Sequence, residues 1–265
     1  MTPNAWDAAA ASYEETIEKT TGAFVAQYLD HVAPTKGTRV ADIACGAGVL
    51  TMAFAQCGAD VVASDLSEAM VERVRARALE AGLADRITAT VGDAEELSLD
   101  DSSVDAAVSN FGIIFCPRVD RALGEMARVT RDGGALMFSA WTSEARSGWQ
   151  GLLTPDHEDQ LGFELPPRVV FHWSSPDEVA AACTAAGWSD VTVEAIDAPA
   201  TRVASWQEFG SVLDSPGTRA NLAALTDDQR AVLRDYLVRR AHEVFGEAEV
   251  TLQREAWLIR GRKKC

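Results

Sequence analysis

The chain has no apolar run long enough to span a bilayer, no Cys-x-x-Cys pair and little positive charge. Its 24 Lys and Arg face 40 Asp and Glu, a formal net charge of −16. Nucleic-acid phosphates call for Lys and Arg, so this balance argues against a nucleic-acid partner. It suits a soluble enzyme acting on a neutral or cationic small molecule. The cysteines (Cys45, Cys57, Cys116, Cys183, Cys265) are odd in number and scattered, which argues against a disulfide framework and a zinc site and implies no metal. With no membrane span and no secretory pattern around Asp7, Glu14, Glu15 and Glu18, the expected location is cytoplasmic. The basic stretch RGRKK at 260–264 reads as a solvated tail.

The rest is ordinary globular material. In 265 residues, 47% are hydrophobic and 24% charged, enough for one large α/β domain with a cap. Residues 4–32 read as helical, with Phe24, Val25, Tyr28 and Leu29 on one face, ending at Pro34 and Gly37. Strands then alternate with helices. The strands are expected at 39–44, 60–65, 87–93, around Val104–Val108, and at 135–141 after a turn RDGG (131–134). The helices are expected at 50–57, at 68–82 with Ser67 as N-cap, and near 118–130. Such alternation is the pattern of a Rossmann-like, doubly wound, mostly parallel sheet. Residues 143–172 read as irregular. A helix follows at 175–187, then a strand at 191–196, a helical stretch at 205–246 and a last strand at 254–262. Two late strands complete a seven-stranded sheet around a helical insertion. The expectation is one domain over 1–265: a helical cap (1–36), a cofactor-binding core (37–142) and a substrate-pocket region (143–265).

The most informative stretch is VADIACGAG at 40–48, an apolar strand breaking into a Gly turn before a helix. Asp65 follows at the end of the next apolar run, VVASDLS. Strand, Gly turn and a later acid form the constellation that holds an adenosine-type cofactor. A dinucleotide fingerprint needs a third Gly where Thr51 stands, and no Tyr-x-x-x-Lys pair follows strand four. A P-loop is excluded because no Gly-Lys-Ser/Thr follows the turn. Asp42 lies within an apolar strand, a costly place for an unpaired acid. Cys45 reads as a small turn residue, with nothing basic beside it to activate a thiol.

DIACGAG resembles the D-x-G-x-G-x-G motif of class I S-adenosylmethionine-dependent methyltransferases, most closely the ubiquinone/menaquinone-biosynthesis type. The resemblance spans roughly residues 4–195. It includes, in order, ASDLSEAM, VGDAEELSLDDSSVDAAVSNFGIIF and ALGEMARVTRDGGALMFSAW. Ala44 departs from the motif, which often has Gly there. The resemblance implies S-adenosylmethionine as cofactor. This donor has no pyrophosphate, so the third Gly is not required. Asp42 would draw its ammonium, and Gly46 and Gly48 would let the backbone come close. Asp65 would accept both ribose hydroxyls, with Leu66 and Met70 as an apolar wall against adenine. Asp93 and Ala94 resemble the family pair that reads the adenine edge. Asn110 and Phe111 fall where the family flanks the methionine portion. Tyr13 resembles the N-terminal aromatic residue that closes over the cofactor, and Trp6 is a further candidate.

Methyl transfer from a sulfonium needs alignment in a dry pocket, and an oxygen acceptor usually needs a general base as well. His172, between Phe171 and Trp173, is the candidate base. His31 reads as a favourable charge at a helix C-terminus and His242 as solvated. Trp141, Trp149, Phe163, Trp206 and Phe209 are candidates for an apolar acceptor site. The expected reaction is methylation of an O, N or C atom of a small apolar or aromatic metabolite by a monomer or homodimer. The alternatives are a nicotinamide oxidoreductase, or a non-catalytic S-adenosylmethionine-binding subunit.

Overall fold

In the computed structural model the described residues are 6–7, 18–143, 146, 148–166, 170–214, 218 and 222–264. Seven strands form one sheet in the order β3-β2-β1-β4-β5-β7-β6. They are β1 (Arg39–Ile43), β2 (Asp60–Asp65), β3 (Ile87–Val91), β4 (Val104–Asn110), β5 (Thr130–Trp141), β6 (Trp188–Val203) and β7 (Val250–Lys263). β1 to β5 pair in parallel, and β7 runs antiparallel between β5 and β6. The strand order reverses between β1 and β4, which opens a crevice at their carboxyl ends. The principal helices are α1 (Val25–Val32), α2 (Val49–Gln56), α3 (Glu68–Glu80), α4 (Val119–Val129), α5 (Pro176–Ala185) and α6 (Asp227–Phe245). Among the described residues no helix is long and apolar enough to cross a membrane.

The central strands are buried on both faces, hence their continuous apolar runs. Tyr28 and Phe24 seal the α1 side of this core. A second apolar cluster, built on Leu233, Tyr236 and Leu237 of α6 with Trp149, Phe209 and Leu252, forms the cap. The ribbon of β6 and β7 links the two, since Val203 still pairs with Val250 well beyond the sheet proper.

Several expectations change. The first helix is not continuous: a helical turn at Glu18–Thr21 passes through a 3₁₀ turn at Gly22–Phe24 into α1. β3 stops at Val91, and β5 starts at Thr130, so the expected turn at 131–134 lies inside a strand. A register shift between Val104 and Ala106 absorbs the irregularity. The helical stretch 205–246 splits into a 3₁₀ segment, Trp206–Asp214, and α6, which begins afresh at a Thr226–Gln229 capping box. The stretch 143–172 holds a 3₁₀ segment, Gly148–Leu152, and a short helix, His157–Leu161. The basic C-terminal stretch is no free tail. Gly261 and Arg262 pair within β7, Arg260 bridges Glu194 at 3.1 Å, and Lys263 donates to the carbonyls of Ala127 and Thr130. His31 is not a terminal charge. Burial, and then Arg262, hold its pKa down, and its ring binds the Leu136 carbonyl at 3.0 Å. His242 is exposed, as expected, with its ring tilted against Trp206 at a centroid distance of 4.5 Å.

Candidate active site

A cavity of about 310 Å³ opens at the carboxyl ends of β1 to β4. Ala44, Gly46, Asp65, Leu66, Met70, Asp93, Ala94, Asn110 and Phe111 all line it. Sequence reasoning passed over Gly92, Glu95, Gly112, Phe115, Cys116 and Pro117, which line it too. Trp6 joins them and packs edge-on against Phe115, centroids 4.9 Å apart. Tyr13 lies outside the described residues.

The turn after β1 enters the left-handed region, with φ of 53° at Ala44, 54° at Gly46 and 86° at Gly48. At Gly48 glycine is required twice over, because a Cβ there would stand 2.9 Å from Val74 Cγ2. Arg77 of α3 fastens the turn from outside, donating to the Ala47 carbonyl at 2.8 Å and to both carboxylate oxygens of Glu18.

Asp65 is held by its neighbours. Gly46 N–H donates to Oδ2 and Ser67 N–H to Oδ1, both at 2.9 Å. Each oxygen keeps a lone pair for a further donor. Burial raises its pKa, and these backbone donors act against the rise. Asp7 reaches the same corner, accepting from Ser67 Oγ and from Ala69 N–H. Beside Asp65, Leu66 is 40% exposed, an apolar surface left open at the rim.

Asp42 does not line the cavity. It is 1% exposed beneath the turn, and its Oδ2 accepts from Thr51 Oγ1 at 2.5 Å. Thr51, which the sequence shows only as a missing glycine, thus satisfies a buried acid. Burial pushes the Asp42 pKa up to about 7, Thr51 opposes the rise, and Asp65 adds to it. Any effect of Asp42 on a ligand passes through the turn above it.

The end of β4 is held by a buried polar network. The Tyr28 hydroxyl reaches the Ser109 carbonyl at 2.9 Å and Ser139 Oγ at 3.1 Å. Ser139 Oγ donates to Asn110 Oδ1 at 2.9 Å and accepts from Phe111 N–H at 3.0 Å. Asn110 Nδ2 donates to the Thr21 carbonyl at 2.9 Å. The Asn110 amide is therefore committed to holding the Glu18–Thr21 turn over β4. Phe111 is locked at φ 58°, a strained value for an aromatic residue, and its ring stacks on Trp141 at 4.3 Å.

His172 is not among the residues lining this cavity. Its Nε2 binds the Ile114 carbonyl at 2.8 Å, so that nitrogen carries its hydrogen and serves as a brace for the Ile113–Phe115 turn. Of the expected acceptor-site aromatics, Trp149 and Phe209 are buried in the cap core, and Phe163 and Trp206 pack against it. Trp141 stays at the end of β5, beside the cavity wall. Cys45 and Cys116 are thiols, their pKa values raised by burial, Cys116 to about 12.

Residues 40–134 match the model of a methyltransferase domain. An uncharacterized protein of Mycobacterium tuberculosis is 39% identical over 144 residues, covering 54% of this chain and 48% of its own length. The chain thus spans about half the length of the first curated relatives it matches. A demethylmenaquinone methyltransferase of Mycolicibacterium gilvum is 32% identical over 169 residues, covering 58% of this chain and 69% of that protein. Among solved structures, the YcgJ protein of Bacillus subtilis shares the fold with a TM-score of 0.62 at 19% identity, over 91% of this chain and 98% of the other. With these matches, and a seven-stranded sheet ordered around a glycine turn and an acid at the end of β2, the chain belongs to the class I S-adenosylmethionine-dependent methyltransferases.

Proposed function

We propose that the protein transfers the methyl group of S-adenosylmethionine to a small-molecule acceptor. The observation that carries this reading is Asp65: a carboxylate at the carboxyl end of β2, oriented by two backbone N–H groups, with acceptor capacity turned to a cavity. Two vicinal hydroxyls of a ribose match it. Leu66 and Met70 would flank the adenine, Asp93 and Ala94 would meet its edge, and Phe111 with the Ala44–Gly48 turn would face the methionine end. Trp6 would close the cavity from the N-terminal side.

The donor, when bound, supplies a methyl group already activated on a sulfonium. The chain's part is to bind, orient and exclude water. The acidic surroundings of Asp42, Asp65 and Asp93 favour a cationic ligand. Phe111 and Trp141 offer apolar surface where an acceptor would approach. No base is assigned, since His172 is engaged with a backbone carbonyl. One domain is proposed for the described chain. Its support is β7, which hydrogen-bonds the C-terminal half into the same sheet as the glycine turn.

Calorimetric titration with S-adenosylhomocysteine, with NAD in parallel, tests the reading. Micromolar binding of the first and none of the second is expected. The reverse would assign the glycine turn to a dinucleotide. Binding without turnover across an acceptor panel would favour a non-catalytic subunit.

A further inference from the structure

Arg254 is the charged group that the reading above leaves without a task. It sits on β7 opposite Ala198 of β6, two residues from Ala256, which pairs with Trp141. That position is past the carboxyl end of β5, on the sheet edge where the cavity opens. Its guanidinium carbon lies 5.2 Å from the centroid of the Trp141 ring, and Trp141 stacks in turn on cavity-lining Phe111. Nη1 donates to Thr20 Oγ1 at 3.2 Å. Nε is buried and has no partner. The loop backbone closes over the group at Gly148, where φ is +85° and a Cβ would stand 3.4 Å from Nε.

A guanidinium carries five N–H donors and a charge that cannot be shed. Burying it without a counter-ion is unfavourable, and among the described residues no carboxylate contacts it. Nearby arginines behave differently. Arg146 bridges Asp197 and Glu255, both at 3.2 Å, and Arg260 bridges Glu194 at 3.1 Å. In a chain of net charge −16, a half-buried arginine with no carboxylate partner among the described residues, set against an aromatic wall, points to a ligand.

Resting on the methyltransferase reading, we infer that Arg254 forms an oxyanion subsite at the acceptor end of the cleft, so that the methylated molecule carries a carboxylate or phosphate beside an apolar body. Trp141 and Phe111 take the apolar part, and the Nη edge of the Arg254 guanidinium, which keeps N–H donors beyond the one on Thr20, takes the anion. The acceptor expected from composition alone was neutral or cationic, and the local charge at this edge reverses that expectation.

The test is titration of the full chain, with and without S-adenosylhomocysteine, using benzoate, hexanoate and phenyl phosphate as anionic probes and benzyl alcohol as the neutral one. The anionic probes should bind at least about tenfold more tightly than benzyl alcohol. Arg254→Gln should erase the preference, and Arg254→Lys should keep part of it for phenyl phosphate. Affinity for S-adenosylhomocysteine should be unchanged in both, and their melting by circular dichroism checks folding. Equal binding of benzoate and benzyl alcohol to the wild type overturns the inference, as does a preference that survives in Arg254→Gln. Loss of S-adenosylhomocysteine affinity in that variant also overturns it, by assigning Arg254 to the donor's own carboxylate. An Arg254-dependent anion preference in a chain that binds no S-adenosylhomocysteine upholds the subsite and sinks the methyltransferase reading.

Discussion

Asp42 is a carboxyl that the fold holds against its own ionisation. Its pKa rises from 3.8 to about 7, chiefly through burial. The native state therefore binds the proton more tightly than the unfolded chain, and the associated stability is lost as pH rises from about 4 to about 7. At about 1.4 kcal/mol per pH unit, ionised Asp42 costs the fold about 4 kcal/mol by pH 7.5. Asp42→Asn removes the titration and keeps one oxygen for the Thr51 hydroxyl, giving up about 1 kcal/mol of hydrogen bonding with the backbone N–H of Thr51. The variant should thus be slightly less stable than wild type at pH 4 and more stable, by about 3 kcal/mol, at pH 7.5. Urea denaturation at both pH values, comparing midpoints at equal slope, reads the crossing. Parallel stability curves for the two proteins would refute the reasoning, because they would show that Asp42 is ionised in the fold without penalty. On the proposed function the same variant loses a negative charge beneath the donor's ammonium. Affinity for S-adenosylhomocysteine should therefore fall as stability rises, a trade between stability and function.

Asp65→Ala removes the two ribose-facing oxygens and should weaken S-adenosylhomocysteine binding by about 3 kcal/mol, roughly a hundredfold in Kd by calorimetry; unchanged affinity would sink the ribose assignment. Gly112→Ala places a Cβ 2.6 Å from both the Ala44 carbonyl oxygen and the Ala44 Cβ. Backbone cannot recede as a side chain does, so a loss of about 1–3 kcal/mol in stability is expected on thermal melting, with weaker cofactor binding. His172→Gln retains an N–H for the Ile114 carbonyl and should leave turnover unchanged across the pH range. A fall confined to low or high pH would restore His172 as a proton carrier.

What was legible in the sequence is local. Each of β1 to β4 is a short apolar run bounded by its own turn residues, and the glycine turn lies next to its strand. Asp65, Leu66, Asp93 and Asn110 share the cavity because each stands at the carboxyl end of a parallel strand. Their grouping follows from topology once the strands are identified. What was not legible depends on contacts distant in sequence. Thr51 looks like a lost glycine until its hydroxyl is seen on Asp42. His172 looks like a base until its partner, 58 residues away, is seen to be a carbonyl. Asn110 lines the cavity as expected, but its amide bonds to Thr21 and Ser139 could not be read from sequence. The RDGG segment carries a turn signal, and β5 takes it up as a bulge: the register with β4 jumps from Thr130 to Ala135 across it. One missed boundary did have a local sign: Thr226 and Gln229 form a capping box, readable as a fresh helix start.

The open edge of the sheet divides by charge. Acids stand at the ends of β1 and β2 and just past β3: the charge of Asp65 adds to the rise in the Asp42 pKa, and that of Asp7 to the rise in Asp65. At the other side, beyond β5, Trp141 carries Arg254 against its ring and no acid answers it among the described residues. Left empty, both halves are electrostatically unfavourable: one concentrates negative charge, the other buries a positive one. A cationic donor in the first half and an anionic acceptor in the second would relieve both at once, and each would be repelled from the other's place. On the proposed reading this polarity orders the two ligands along the cleft before any contact with the reacting atoms. It also predicts that raising ionic strength weakens donor and anionic probe together, whereas a neutral probe such as benzyl alcohol is left unaffected.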